Sequence, residues 1–161
     1  MNDSILVFSR SNDIDQTAAI SGSGTVSTIG TGNLTFDAAM SYTGSTVVAA
    51  GTLSVTGSGN NRLPADRTVD VQPGATLSVL STDALPTGAN AIDLILTGTL
   101  HLDNASAHVG DLTLNDGAAI TSTGNASLTL NGALTLQGST SVSIGAGLVL
   151  PAGDTISSFP T

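Results

Sequence analysis

Cysteine is absent from the 161 residues, and so are lysine, glutamate and tryptophan. Each gap removes a class of reading. Without cysteine there is no disulfide framework, no thiolate metal site and no cysteine nucleophile. Without lysine and glutamate, two good helix formers are missing, while 19 glycines and many Thr, Ser and Val residues remain. That balance predicts an all-β chain. Aromatic residues make up 2%, so any core must rest on Leu, Val, Ile and Ala. Cations are equally scarce: Arg10, Arg62 and Arg67 stand against twelve aspartates, for a net charge of −9. Three arginines cannot neutralise a phosphate backbone, so no nucleic-acid partner is expected. An acidic surface is also repelled by anionic lipid, and its charge serves solubility. No apolar run approaches the roughly 20 residues of a membrane span, so no membrane insertion is expected of this segment. Met1–Ser4 carries no basic residue and the apolar run Ile5–Phe8 is too short for a signal peptide. The expectation is a cytosolic chain or a piece of a longer exported one.

What is present is a repeat. Ser127–Gly138 reads SLTLNGALTLQG, two short alternating runs around Asn131-Gly132. Taken alone it would be a hairpin. The same grammar of apolar-x-apolar, a glycine turn and apolar-x-apolar returns at Val69–Val79, Leu94–Leu102, Leu112–Ile120 and Val142–Leu150. Looser copies lie around Gly32 and Gly51. Turn glycines at 32, 51, 74, 98, 117, 132 and 147 are taken to mark one stacked corner. The fold expected is a right-handed parallel β-helix (β-solenoid) of about seven irregular rungs, its hand following the rule for parallel connections. Seven rungs at about 4.8 Å make a rod on the order of 35 Å long. The division expected is an N-terminal cap or extension over 1–16, the β-helix over 17–150, and a C-terminal cap or tail over 151–161, where Pro151 and Phe159-Pro160 end the pattern. Asn61–Thr68 reads as a longer excursion. Alternation turns Leu77, Val79, Leu100, Leu102, Leu134, Leu136, Leu148 and Leu150 inward. It predicts two outward columns: Ser54, Ser78, His101, Thr135 and Val149 in one, and Asp70, Ile95, Thr113, Thr129 and Ser143 in the other. In the last unit, the leucines of 128–136 should stack on Leu112 and Leu114 below and on Val142 and Ile144 above.

Gly32–Leu53, GNLTFDAAMSYTGSTVVAAGTL, resembles the autotransporter-associated β-strand repeat of bacterial passenger regions. Gly32, Leu34, Thr35, Tyr42, Gly44, Thr46, Val48, Gly51 and Leu53 fit its pattern without a gap, and Phe36 is a conservative change. Asp37, Ala38 and Met40 depart from it, which removes the usual Gly-x-Asn before the tyrosine. The resemblance implies a right-handed β-helical segment of a secreted or surface-anchored protein, extracellular or at the bacterial cell surface. It would be a stem, adhesin or self-associating scaffold, capable of forming filaments. Its expected partners are other copies of itself or a host or matrix surface, with a glycan as a further candidate. The alternative is a β-helical polysaccharide-active enzyme or glycan-binding module.

No catalytic, cofactor-binding or metal residue is assigned, and no cofactor is expected. Asp70, Asp93 and Asp116 recur at intervals of 23 residues, as acids on adjacent coils of a polysaccharide enzyme would. That interval is not the one that aligns the glycines, so they read as solvated acids, with Arg62 and Arg67 as the cations near them. The Asn-Asp-Gly corner at 115–117 is better explained by turn formation than by calcium. His101 should face outward and His108 lie in a polar loop, too few donors for a metal. No nucleophile elbow occurs, and Gly57-Ser58-Gly59 lacks a lysine and a following helix for phosphate. Tyr42 reads as a packed repeat residue. Asn33, Asn104 and Asn125 begin N-x-Ser/Thr triplets. Outward threonines raise ice binding, but the mixed columns argue against it.

Overall fold

The computed structural model describes residues 1–57, 59, 62–137, 143–144 and 147–149. Their strands, every pairing of which is parallel, coil about six times around a single apolar core. Each turn presents three walls. The first wall stacks β1 (Ile5–Phe8), β4 (Thr25–Thr28), β7 (Thr46–Val48), β9 (Thr68–Val71), β11 (Ile92–Leu96), the end of β13 (Ser106–Leu114) and β16 (Leu134–Leu136). The second stacks β2 (Ile14–Gln16), β5 (Asn33–Phe36), β8 (Thr52–Val55), β10 (Thr76–Val79), β12 (Thr99–Asp103), β14 (Ala119–Thr123) and β17 (Ser143–Ile144). The third begins with β3 (Ser21–Gly22) and β6 (Ser41–Tyr42) and resumes with the start of β13, β15 (Ser127–Leu130) and β18 (Gly147–Val149). Between those two parts it holds no strand: Arg62–Arg67 and Leu80–Ala91 cross it as irregular chain with one 3-10 turn, Gly88–Asn90. The stretch 1–16 carries β1 and β2, which pair with β4 and β5.

The register explains why this composition suffices for a core. Leu34, Leu53, Leu77, Leu100 and Ile120 lie directly over one another in the second wall. In the first wall Val69, Leu94, Leu112 and Leu134 do the same. Each coil thus supplies a layer of aliphatic side chains, and Leu53, Leu77, Leu100 and Val69 have no exposed surface. At roughly 25 cal/mol per Å² of apolar surface, stacked layers of this kind are the main stabilising term. Leu77, Val79, Leu100 and Leu102 point inward as alternation requires, and Leu134 and Leu136 pack half-buried on the same core. Two inward positions of the first wall are threonines, and both are hydrogen-bonded. Thr28 donates its hydroxyl to Ala50's carbonyl at 3.2 Å, and Thr46 meets the Tyr42 hydroxyl at 2.5 Å.

The third wall corrects three details of the repeat. The seven glycines do not share one corner. Gly32, Gly51, Gly74, Gly98 and Gly117 lie between first and second walls, Gly132 lies above Gly110 between third and first, and Gly147 opens β18. Second, the outward columns exchange members. Ser54, Ser78 and His101 stack and continue to Thr121, but Ser54 and Ser78 are buried at 3% and 6% exposure, whereas Thr135 lies over Thr113, below which come Ile95 and Asp70. Thr129 sits between His108 and Val149, and Ser143 over Ala119. Third, Leu134 and Leu136 do rest on Leu112 and Leu114, but Leu128 and Leu130 rest on Ala107 and Val109, and Ile144 is in strand register with Ile120. The physical reason is that Ser127–Leu136 joins the third wall of one turn to the first wall of the next. Val142, Leu150, Pro151, Phe159 and Pro160, with the expected tail over 151–161, lie outside the described residues, as does the side chain of Leu148.

Candidate functional site

Four aspartates, at or near corners, bind backbone of the next turn. Asp13 accepts the Asn33 N–H of the next turn at 2.9 Å, and Asp3 accepts that of Ser23 at 3.2 Å. Asp93 accepts the Asp111 N–H at 2.9 Å, and Asp111 in turn accepts the Ala133 N–H at 2.8 Å. Asn104 does the same for Asn125 at 3.3 Å from a left-handed backbone, φ 48°. A carboxylate accepting an N–H replaces the strand-to-strand bond that is lost where the chain turns. At Asp93 this also closes an irregularity, because the register between β11 and β13 shifts between Ile92 and Leu94. A polar groove of about 280 Å³ opens beside this ladder, lined by Asp66, Asp93, Asp111, Asn131 and the glycines 88, 110 and 132. Asn131 reaches across it to donate to Gly88's carbonyl at 3.3 Å. Among the described residues no cluster of three His, Cys, Asp or Glu side chains has metal-binding geometry.

Asp70, Asp93 and Asp116 are not brought together. Asp70 faces outward in the first wall, paired in register with Val47 and Ile95, and accepts from the Gln72 amide at 2.7 Å. Asp93 pairs with Thr68, and Asp116 stands at a corner between the first and second walls. Arg62 donates its Nε–H to Thr56's carbonyl at 2.6 Å. His101 faces outward with Nδ1 2.9 Å from the Thr121 hydroxyl. His108 lies in β13 rather than in a loop, in register with Thr129, and its Nδ1 is buried without a partner among the described residues. Of the glycosylation-type triplets, Asn33 is held by its side chain, which donates to Thr35 and accepts from Ser54, whereas Asn104 and Asn125 are exposed at a corner. The corner bonds of the aspartates went unread in the sequence. Of these residues only Asp111 stands beside a glycine, Gly110, so the sequence carried little local signal for the rest.

Tyr42 is buried at 1% exposure, and its phenol pKa is pushed up to about 12 by that burial, with the Thr46 hydrogen bond opposing the rise. It therefore stays neutral and packs the core where β6 turns into β7. A groove of about 390 Å³ lies along its backbone, between β6 and Pro64–Arg67.

A family model for the passenger-associated transport repeat matches residues 29–55. No curated protein and no solved structure matched the chain. The matched stretch runs from the corner before β5, through β6 and β7, to the end of β8. It takes in one full turn of the solenoid, from one corner between the first and second walls to the next, and the second-wall strand β8 that begins the following turn. The repeat family is a structural one, and the chain carries one turn of this passenger repeat within a parallel β-solenoid.

Proposed function

We propose that the chain is a structural and adhesive module of an autotransporter-like surface protein. It works outside the cell or at the bacterial surface as a stem, adhesin or self-associating scaffold, and it does not catalyse a reaction. The observation that carries this reading is that the passenger repeat at 29–55 takes in one complete coil and the strand β8 that begins the next, with β5 on β8 and β7 on β4 and β9 in unbroken register. Supporting it, the corner aspartates are engaged in holding successive coils together. Solenoid coils contact chiefly their neighbours, so a rod of this kind can be lengthened by repetition. The same geometry supports self-association, since among the described residues β1 and β2 pair with a strand on one side only.

Sedimentation velocity over a wide concentration series, together with binding to immobilised matrix proteins, tests the proposal. Mass that rises with concentration, or saturable surface binding, is the expected result. A protein that stays monomeric and inert toward every surface at high concentration would defeat it. The non-catalytic part is checked separately: reducing ends or unsaturated products released from any member of a glycan panel would overturn that claim.

A further inference from the structure

The first coil ends in two sheet edges of different chemistry. All of residues 1–16 are described, and among the described residues β1 and β2 pair only with β4 and β5 above them. The Thr25 and Ile29 N–H groups donate to the carbonyls of Ser4 and Phe8 at 2.8 and 2.9 Å. Alternate residues of a parallel strand turn their backbone groups to opposite neighbours, so Ile5 and Val7 turn theirs away from the rod. Their side chains lie on the outward face and are 67% and 47% exposed. The inward residues of this coil are open as well. Leu6, Phe8 and Ile14 are half-buried, whereas their register partners Val26, Thr28 and Leu34 are buried. On β2 the Gln16 carbonyl faces up to the Asp37 N–H, so the residue that turns its backbone away is Asp15. Asp15 is exposed, and so is Asp13 two positions before it. Carboxylates on a free edge oppose strand pairing, whereas an exposed apolar edge invites it.

We propose that a second copy of the chain adds to β1, antiparallel across a two-fold axis at Leu6, so that two rods join by their first coils. The inference rests on the self-associating reading above and gives it a site and a geometry. Residues that exchange backbone bonds in an antiparallel pair must both face the partner. Centring on Leu6 meets this condition, because Ile5 of each copy then lies opposite Val7 of the other. Those two side chains meet on the outward face as a β-branched cross-strand pair. The two Leu6 side chains meet on the inward face, across the open end of the core. Charge selects the same orientation. Asp3 and Arg10 are exposed at opposite ends of β1, and the two-fold carries Asp3 of each copy to within one residue of Arg10 of the other. A second copy thus offers each Arg10 a carboxylate, at both ends of the contact. Two-fold pairing through β2 would instead set Asp13 and Asp15 against their own copies, like charge on like. The contact uses the same patch on both partners, so it closes at two copies at this end.

Sedimentation velocity and amide hydrogen exchange by NMR, both on the full chain over a concentration series, test the geometry. Mass should level off at two copies. The Ile5 and Val7 amides should exchange about tenfold more slowly, or slower still, once the dimer forms, while the Asp15 amide keeps its rate. In a mixture of isotope-labelled and unlabelled chain, intermolecular contacts should link Ile5 to Val7. Ile5→Lys/Val7→Lys places charge on two exposed positions and should weaken the dimer about tenfold or more. Arg10→Asp, which sets carboxylates together at both ends of the contact, should weaken it too. If a variant disturbs folding, the labelled mixture of the unaltered chain still decides the matter. Association of unchanged strength in Ile5→Lys/Val7→Lys, or intermolecular contacts centred elsewhere, would overturn the proposal and leave self-association standing. An unaltered chain that stays monomeric at millimolar concentration would end both. Ile5 and Val7 amides already protected at low concentration would also overturn it, since a segment of the same chain would then hold the edge.

Discussion

Tyr42 is the chain's only tyrosine, and there is no lysine or cysteine to titrate near it. Its phenol must stay protonated to remain buried beside Thr46. The folded pKa of about 12 lies above the unfolded value of 10.0, so the folded state binds this proton more tightly. Its stability contribution is complete below pH 10 and is lost as pH rises through 12. Melting temperature should therefore fall steeply between pH 10 and 12, and absorbance at the phenolate band should report ionisation near 12 in the folded protein. Tyr42→Phe should remove the slope and lower stability at neutral pH, because Thr46 loses its buried partner. A phenolate titrating near 10 in the folded protein would show the burial to be wrong. Leu130 and Thr129 make a second pair of opposites, one with 1% exposure and the other facing out in register with His108. Leu130→Asp buries an unpaired charge and should unfold the chain or cost at least about 4 kcal/mol. Thr129→Asp should change stability by about 0.5 kcal/mol or less. Denaturant melts of the two variants separate these outcomes, and equal effects would sink the inward assignment.

The corner is the element with the most to lose. Asp111 links two turns at once: its N–H is held by Asp93 and its carboxylate holds Ala133. Asp111→Ala should destabilise by about 1–2 kcal/mol by orphaning the Ala133 N–H, and it should do so without a change in denaturant m-value. Asp111→Asn, which keeps an acceptor, should recover most of the loss. Gly51 limits the other corner for a different reason. It adopts φ +66°, and a Cβ there would lie 2.3 Å from the Gly30 carbonyl oxygen of the coil below. Gly51→Ala thus adds steric overlap to a left-handed backbone that alone costs roughly 1–2 kcal/mol. Its effect should exceed that of Gly74→Ala, where no atom lies within 4 Å of the added carbon although φ is +79°. Equal losses at the two sites would mean that backbone conformation, and not stacking, governs the corner.

Across the molecule, each coil is stabilised by the layers above and below it. The first coil has a partner on one side only among the described residues, and Ile5 and Val7 are 67% and 47% exposed. Central coils bury Val69, Leu94 and Leu96 almost completely. Native-state hydrogen exchange should therefore show protection rising from β1 and β2 to β9, β10 and β11. Uniform protection along the rod would mean that the coils open only as one unit.

The all-β class and the parallel coil were legible because alternation has a period of two and because Leu34, Leu53, Leu77, Leu100 and Ile120 recur beside glycine turns. Face assignment was legible for the same reason, as the burial of Leu77, Val79, Leu100 and Leu102 shows. The third wall was not legible. Its first strands are two residues long and two of its crossings are irregular, so no local pattern announces it. Its omission put Gly132 at the wrong corner and Thr135 in the wrong column. The aspartate ladder was equally hidden, because it depends on which residues of different turns come to lie against one another. Periodicity along a chain states which side chains share a face. Which face meets which, and where a neighbour is missing, is set by the length of every intervening corner, and only the assembled stack contains that information.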